Sequence, residues 1–178
     1  NVLSRQGISF DWIDTRDPSN IRKNIKKNTK LVHVESPTNP LLELCDIEAA
    51  AQICKEKNVL LSVDNTFMSP YGQRPLDLGA DITMQSSTKS LSGHSDVLGG
   101  VLATNNNDLY DKLQFMLKAT GGVPSPFDNW LTLRSTKTLA LRYQKASDNA
   151  SGLANFLSDH EKVTNVIYPG LESHPQDR

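Results

Sequence analysis

The sequence predicts an α/β fold in which a mostly parallel sheet is flanked by helices. Runs rich in β-forming residues alternate with amphipathic helical runs along the first half of the chain. Residues 59–63 are apolar without alternation, which is typical of a strand whose two faces are both covered. With 37% hydrophobic and 22% charged residues, the 178-residue chain has the composition of a globular protein with a packed core.

The first predicted unit is β-α-β. A β-rich run at residues 30–35 is followed by a helical run at residues 47–57, for which Asp46 is the expected N-cap. The apolar strand at residues 59–63 then returns beside the first strand. A helical crossover of this length is what joins two parallel neighbours in a sheet.

Strands at residues 81–85 and 97–103 extend the predicted sheet, and the pattern is that of a doubly wound fold. In such sheets ligands bind beyond the carboxyl ends of the strands. The polar residues that follow the predicted strands are therefore expected to converge on one site, and they are residues 35–39, Asp64 and residues 86–89.

The second half of the chain is predicted to be mainly helical. Apolar residues recur at intervals of three and four over residues 107–118 and 127–160. A run rich in glycine and proline at residues 121–126 separates the two helical regions, and Pro126 suits the first position of the second. Beyond them, residues 163–168 are expected to form a strand.

Charge and composition exclude several classes of partner. The formal net charge is −1 and the pI is about 6.5, so no long-range field attracts nucleic acid or an anionic membrane. No run approaches the roughly 20 apolar residues that span a bilayer, and the first residues lack the apolar core of a signal peptide. We expect a soluble, cytoplasmic protein that acts on a small molecule.

The cysteine spacing and the glycine pattern argue against a metal site and against a nucleotide-binding domain. Cys45 and Cys54 have no companions at metal-ligand spacing, so we expect free thiols in buried or half-buried positions and no metal site. The chain has neither a Gly-x-Gly-x-x-Gly fingerprint after a strand nor a Walker sequence. Both absences argue against a nucleotide-binding domain.

The run Ser86-Ser87-Thr88-Lys89 closes a predicted strand and places an amine among hydroxyl groups. A lysine forms a Schiff base with an aldehyde cofactor, and nearby hydroxyls donate hydrogen bonds to its phosphate. Asp64 closes another strand, where a carboxylate can pair with a pyridinium nitrogen. Pyridoxal phosphate requires these groups. Other interpretations stay open: Lys89 as a solvated surface lysine, Asp64 as a helix cap, and the hydroxyls of Ser86 and Thr88 as partners of backbone groups.

Six segments, in this order and spacing, carry a resemblance to a known family: Glu35-Ser36-Pro37-Thr38-Asn39-Pro40, Val63-Asp64-Asn65-Thr66, Gly79-Ala80-Asp81-Ile82, Ser86-Ser87-Thr88-Lys89, Gly93-His94-Ser95-Asp96-Val97 and Pro124-Ser125-Pro126-Phe127-Asp128. On these segments the chain resembles the Cys/Met-metabolism family of pyridoxal phosphate enzymes, which have fold type I. The resemblance implies that Lys89 attaches the cofactor and transfers protons, and that Asp64 faces the pyridine nitrogen. It also implies that Ser86 and Thr88 bind the phosphate. For Asn39 the resemblance implies that its side-chain amide lies near the ring hydroxyl of the cofactor. An equal alternative is that Asn39 is only a turn residue before Pro40.

The resemblance also has consequences for the extent of the protein. Its members continue beyond this chain on both sides, and the chain lacks an initiator methionine, so we expect a fragment. Residues 1–125 would belong to the cofactor-binding large domain, residues 126–160 to linking helices, and residues 161–178 to the start of a small C-terminal α+β domain. The complete protein would be a homotetramer. Two residues depart from the family pattern: Ser90, where an aromatic is usual, and Ser135, where a glycine is usual.

Within the family, residues 124–131 make the chain most similar to the cystathionine gamma-lyases. The implied reaction is α,γ-elimination of cystathionine, a sulfur amino acid, to cysteine, 2-oxobutanoate and ammonia. Cystathionine gamma-synthase, cystathionine beta-lyase and methionine gamma-lyase use the same groups and stay as alternatives. A further alternative is a catalytically inactive, truncated fragment that acts only by association. We expect a structural role for His94, and surface ion pairs for Arg134 and Arg142.

Overall fold

The computed structural model describes residues 2–176, and a four-stranded sheet with the order β1-β2-β3-β4 lies at its centre. Strands β1 (Leu31–Glu35), β2 (Leu60–Asp64) and β3 (Ile82–Ser86) are parallel, and β4 (Gly100–Ala103) is antiparallel to β3. The predicted mostly parallel sheet is confirmed. Strand β4 starts later than expected because Gly99 bonds the turn after β3 instead of β3 itself.

Helix α2 (Ile47–Glu56) forms the predicted crossover between β1 and β2. Asp46 caps it as expected, since its Oδ1 accepts a hydrogen bond from Ala49 N–H at 2.9 Å. A short helix, α1 (Ser19–Asn24), packs beside it. The main core lies between these two helices and one face of the sheet, and its buried residues are Ile21, Val34, Cys45, Ile47, Ala50, Ala51, Ile53, Cys54, Leu61, Val63 and Ala80.

In the described part of the chain, the α-helices that follow β2 are α3 (Ser69–Gly72), α4 (Asn107–Thr120), α5 (Pro126–Thr136) and α6 (Leu139–Ser158). Pro126 occupies the first turn of α5, and the Ser125 hydroxyl caps that helix by accepting Asp128 N–H at 3.1 Å. The predicted start of this helix is confirmed.

The helical region expected over residues 127–160 consists of two helices, α5 and α6. The break falls at Lys137 and Thr138. There the carbonyl of Ser135 accepts the amide of Thr138 at 3.1 Å, the hydroxyl of Thr138 at 3.2 Å and an N–H of Arg142 at 2.9 Å. Because this carbonyl bonds an amide only three residues ahead, the helix tightens and turns.

The strand expected at residues 163–168 is absent from the structure. A strand needs a neighbour with which to exchange backbone hydrogen bonds, and this segment lies at no edge of the sheet. It runs instead into a turn in which Leu171 N–H donates to Tyr168 O at 3.1 Å. Farther on, the Gln176 side chain bonds both backbone groups of Leu44 at 2.8 Å, which attaches the end of the described chain to the loop after β1.

The described residues contain no candidate membrane-spanning helix, no metal-binding cluster and no disulfide bond. No helix in residues 2–176 combines the length and the hydrophobicity that crossing a membrane requires. The same residues contain no cluster of three or more His, Cys, Asp or Glu side chains that could hold a metal ion. Cys45 and Cys54 are free, buried thiols as predicted, and burial raises the pKa of each to about 11.

Candidate active site

The carboxyl ends of β1, β2 and β3 meet at one edge of the sheet because the three strands are parallel. Glu35 is the register partner of Asp64, and Asp64 is the partner of Met84. Side chains two residues apart on a strand share a face, so Ser86 lies on the same face as Met84. The fold therefore brings Asp64 and Ser86 to neighbouring positions on one face, as the sequence predicts.

Thr66, which was not predicted to be a site residue, connects Asp64 and Ser86 through two hydrogen bonds. Its backbone N–H donates to Asp64 Oδ1 at 2.9 Å, and its hydroxyl oxygen accepts Ser86 N–H at 2.8 Å. The signal for it was an Asp-x-Thr sequence directly after a strand, which favours a side-chain-stabilised turn. The second oxygen of Asp64 has no hydrogen-bond partner among the residues the structure describes, and it is free to accept one from a ligand.

Lys89 lies in a π-helical turn, Ser87–Leu91, that directly follows β3. The turn is closed by Ser92 N–H donating to Ser87 O at 3.0 Å and by Gly93 N–H donating to Lys89 O at 2.7 Å. The Lys89 side chain is exposed, and its Nζ forms no hydrogen bond within residues 2–176. An amine in this position is accessible to a small molecule.

The hydroxyls of Ser86 and Thr88, which precede Lys89, have different surroundings. Thr88 Oγ1 accepts Gly99 N–H at 3.0 Å and lies 3.4 Å from Gly99 O, so it already supports the backbone. The Ser86 hydroxyl has no such partner in the described part of the chain. Ser87, between them, is buried, and its N–H donates to Gly99 O at 2.9 Å. The turn is not extended, yet Ser87 still faces away from solvent.

Asn39 is exposed in the loop that follows β1. Its side-chain amide has no hydrogen bond with any described residue. The pKa of Glu35 is raised, first by burial and then by the neighbouring negative charge of Asp64. The loop is held by Cys45 N–H, which donates to the hydroxyl of Ser36 at 2.9 Å.

A cavity of about 1380 Å³ opens beside the lysine turn. Thr88 and Lys89 line it together with aromatic side chains that include Phe67, Tyr71 and Tyr143. Asp64, Ser86 and Asn39 are not among its lining residues. The structure therefore brings the predicted residues to one end of the sheet but divides them between this cavity and the adjoining strand ends.

His94 has the structural role that the sequence predicts. Its Nδ1 lies 2.5 Å from Ser92 O and 3.3 Å from the hydroxyl of Ser135. The second contact involves Ser135, the residue found where the family pattern has a glycine. Arg142, by contrast, does not make the expected surface ion pair: in residues 2–176 it bonds carbonyl and hydroxyl oxygens only.

Comparison with known proteins agrees with this geometry. The family described as Cys/Met metabolism PLP-dependent enzyme matches residues 1–178. The chain belongs to this family. A probable cystathionine gamma-synthase of Herpetosiphon aurantiacus is 51% identical over 98% of the chain and 55% of its own length. A cystathionine gamma-lyase of Dictyostelium discoideum is 52% identical over 98% of the chain and 45% of its own length.

Solved structures give the same result for the fold of this Cys/Met-metabolism chain. The crystal structure of cystathionine gamma-lyase from Lactobacillus plantarum, complexed with L-serine, superposes with a TM-score of 0.96 at 42% sequence identity. The match covers 98% of the chain and 46% of that structure. The chain thus spans about half the length of the relatives it matches.

Proposed function

We propose that the complete protein containing this chain is a pyridoxal phosphate-dependent carbon–sulfur lyase that cleaves cystathionine by α,γ-elimination. The products would be cysteine, 2-oxobutanoate and ammonia. The observation that carries the proposal is the amine of Lys89, which is accessible and has no hydrogen bond with the described residues, one strand away from the carboxylate of Asp64 in a chain of the Cys/Met-metabolism family. The preference for cystathionine rests on relatives named as gamma-lyase and gamma-synthase.

The side chains at the sheet edge fit this cofactor in their chemistry. Lys89 would bind its aldehyde carbon, and the free oxygen of Asp64 would accept a hydrogen bond from its ring nitrogen. The unpartnered hydroxyl of Ser86 would donate to the phosphate, and Thr88 would do so by turning its O–H away from Gly99. Asn39, whose amide has no partner within the described residues, would reach the ring hydroxyl.

When bound, pyridoxal phosphate supplies an electron-withdrawing ring that stabilises negative charge at the α carbon of an amino acid. The chain's own residues do the rest. The amine of Lys89 would take the proton from the α carbon and deliver it farther along the substrate as general base and acid. Asp64 would keep a proton on the ring nitrogen, and the amide of Thr66 holds that carboxylate by donating to its Oδ1.

The proposal extends to the whole protein. Residues 1–125 would form part of the cofactor-binding domain, residues 126–160 the linking helices, and residues 161–178 the start of a C-terminal domain. The complete protein would be a cytoplasmic homotetramer whose substrate is a small sulfur amino acid, without nucleic acid or membrane partners. Family membership and the near-neutral net charge of −1 support this assignment.

Product analysis tests the proposed reaction. The complete protein is incubated with pyridoxal phosphate in three parallel reactions that contain cystathionine, methionine, or an activated homoserine with cysteine, and the products are quantified by mass spectrometry. Cysteine with 2-oxobutanoate is the expected pair. Homocysteine with pyruvate would assign a beta-lyase instead, and formation of cystathionine from an activated homoserine and cysteine would assign a gamma-synthase. Cleavage of methionine alone would assign a methionine gamma-lyase, and no turnover of any of these would favour a protein that acts only by association.

A further inference from the structure

Arg142 lies in the first turn of α6 and reaches back to the π-helical turn after β3. Its Nη1 donates to Ser90 O at 2.7 Å, and its Nη2 lies 3.4 Å from Leu91 O. Nη2 also donates to Ser135 O at 2.9 Å, and Nε donates to Thr138 Oγ1 at 3.1 Å. All of these acceptors are uncharged. The guanidinium therefore serves as a multiple hydrogen-bond donor and not as the partner of a carboxylate.

Arg142 donates to the carbonyls of Ser90 and Leu91, which accept no hydrogen bond from a backbone N–H of the described residues. Two amide hydrogen bonds close the turn, and their acceptors are the carbonyls of Ser87 and Lys89. The end of any helix leaves its last carbonyls without intrahelical donors. At Ser90 and Leu91, the two residues after the lysine, the guanidinium supplies those donors.

Gly93 makes this approach possible. Its φ is +68°, a conformation that favours glycine, and a Cβ at this position would overlap with Arg142 Nη1. Any side chain there would push the guanidinium away from the turn. The sequence therefore provides both the donor on α6 and the space that the donor needs beside the lysine turn.

A second set of contacts attaches the same segment to α5. The hydroxyls of Ser92 and Thr132 lie 3.0 Å apart, and His94 Nδ1 lies 3.3 Å from the hydroxyl of Ser135. The backbone that follows Lys89 is thus anchored to two helices. The lysine Nζ itself has no hydrogen bond with the described residues, so the anchoring acts on the backbone and leaves the amine free.

We propose that Arg142 is a positioning residue that fixes the turn from which the Lys89 side chain extends. The inference rests on the proposed function of Lys89. A loosened turn would spread the amine over many positions, and the rate at which it reacts with a bound aldehyde would fall accordingly. Arginine suits the task because its planar fork reaches several acceptors at once, which a lysine ammonium on the same helix does not.

Four single variants of the complete protein test the proposal. Arg142→Ala removes every bond of the guanidinium, and Arg142→Lys keeps the charge with fewer directed donors. Lys145→Ala removes a charge from the next turn of α6, where the side chain is exposed and without a hydrogen bond in residues 2–176. Thr138→Ala removes the Nε partner and leaves the bonds to Ser90 and Leu91 intact.

The first readout is hydrogen exchange of the cofactor-free protein at the amides of Ser92 and Gly93, with the amides of β2 as internal reference. We expect Arg142→Ala to speed exchange at these two amides about tenfold relative to β2, since several hydrogen bonds are lost together. Arg142→Lys and Thr138→Ala should have smaller effects, because each keeps part of the contacts of the side chain at position 142, and Lys145→Ala should match wild type. Unchanged exchange in the turn, or equal acceleration in β2, would overturn the proposal.

The second readout is the rate at which added pyridoxal phosphate forms a borohydride-trapped adduct on Lys89. We expect this rate to fall about tenfold in Arg142→Ala, to recover in part in Arg142→Lys, and to stay unchanged in Lys145→Ala. A wild-type rate in Arg142→Ala overturns the proposal. If wild type itself forms no adduct on Lys89, the proposed function fails, whereas the exchange result still stands.

If Arg142→Ala does not fold, Gly93→Ala provides the same test with the arginine present. The new methyl group displaces the guanidinium, so exchange at the amide of Ser92 should again accelerate relative to β2. Wild-type exchange at that amide in Gly93→Ala would count against the proposal as directly as it would in the arginine variant.

Discussion

Thr66→Val is expected to loosen the connection between the ends of β2 and β3. Valine has the shape of threonine but no oxygen, so Ser86 N–H loses the acceptor that now lies 2.8 Å away. Leaving a buried donor unpaired costs about 1–3 kcal/mol. Thr66 and Ser86 are both only half-buried, water replaces part of the bond, and we expect about 1 kcal/mol.

The assay is amide hydrogen exchange at Ser86 in the complete protein, compared among wild type, Thr66→Val and Thr66→Ser. A loss of about 1 kcal/mol corresponds to roughly fivefold faster exchange in Thr66→Val. Thr66→Ser keeps the hydroxyl and should behave as wild type. The hydrogen bond from Thr66 N–H to Asp64 survives in both variants, because it uses the backbone. The reasoning is refuted if the valine and serine variants exchange at the same rate.

Three further predictions concern titration and covalent chemistry. The pKa of Glu35 is raised in the folded protein, so ionisation of this carboxyl opposes folding. Glu35→Gln should therefore be more stable than wild type as pH rises above 4.5, measured as a higher urea midpoint. At lower pH the two proteins should have equal urea midpoints. Cys45 and Cys54, with pKa values of about 11, should resist maleimide at pH 8 in the folded protein and react once urea is added; rapid labelling without urea would contradict their burial. Lys89→Ala should abolish cystathionine turnover while pyridoxal phosphate still binds weakly and without a covalent bond, whereas Lys145→Ala should retain turnover; normal turnover by the Lys89 variant would refute its role.

Local signals in the sequence were sufficient for the elements that position the site. The apolar run at residues 59–63 predicts β2, which the structure has at Leu60–Asp64. Asp46 and Pro126 mark the starts of α2 and α5 through capping and through the fixed φ of proline, both of which act within a single turn. Because β1, β2 and β3 are parallel, their order alone brings Asp64 and the lysine segment to one edge.

The features that the sequence did not reveal depend on particular hydrogen bonds and on pairing between segments. Helical periodicity continues through residues 137–138, where the bonds that the Ser135 carbonyl accepts from Thr138 and Arg142 separate α5 from α6. β-forming residues at 163–168 do not make a strand without a neighbour to pair with. The bond from Arg142 to Ser90 joins residues 52 positions apart in the chain and leaves no periodic or local pattern.

Covalent trapping is the most direct test of whether Lys89 binds pyridoxal phosphate. The complete protein is mixed with pyridoxal phosphate, reduced with borohydride, digested and analysed by mass spectrometry. We expect one modified peptide, with the adduct on Lys89, and no adduct on this peptide in Lys89→Ala. Labelling scattered over many lysines, or a single adduct on another lysine, would contradict it.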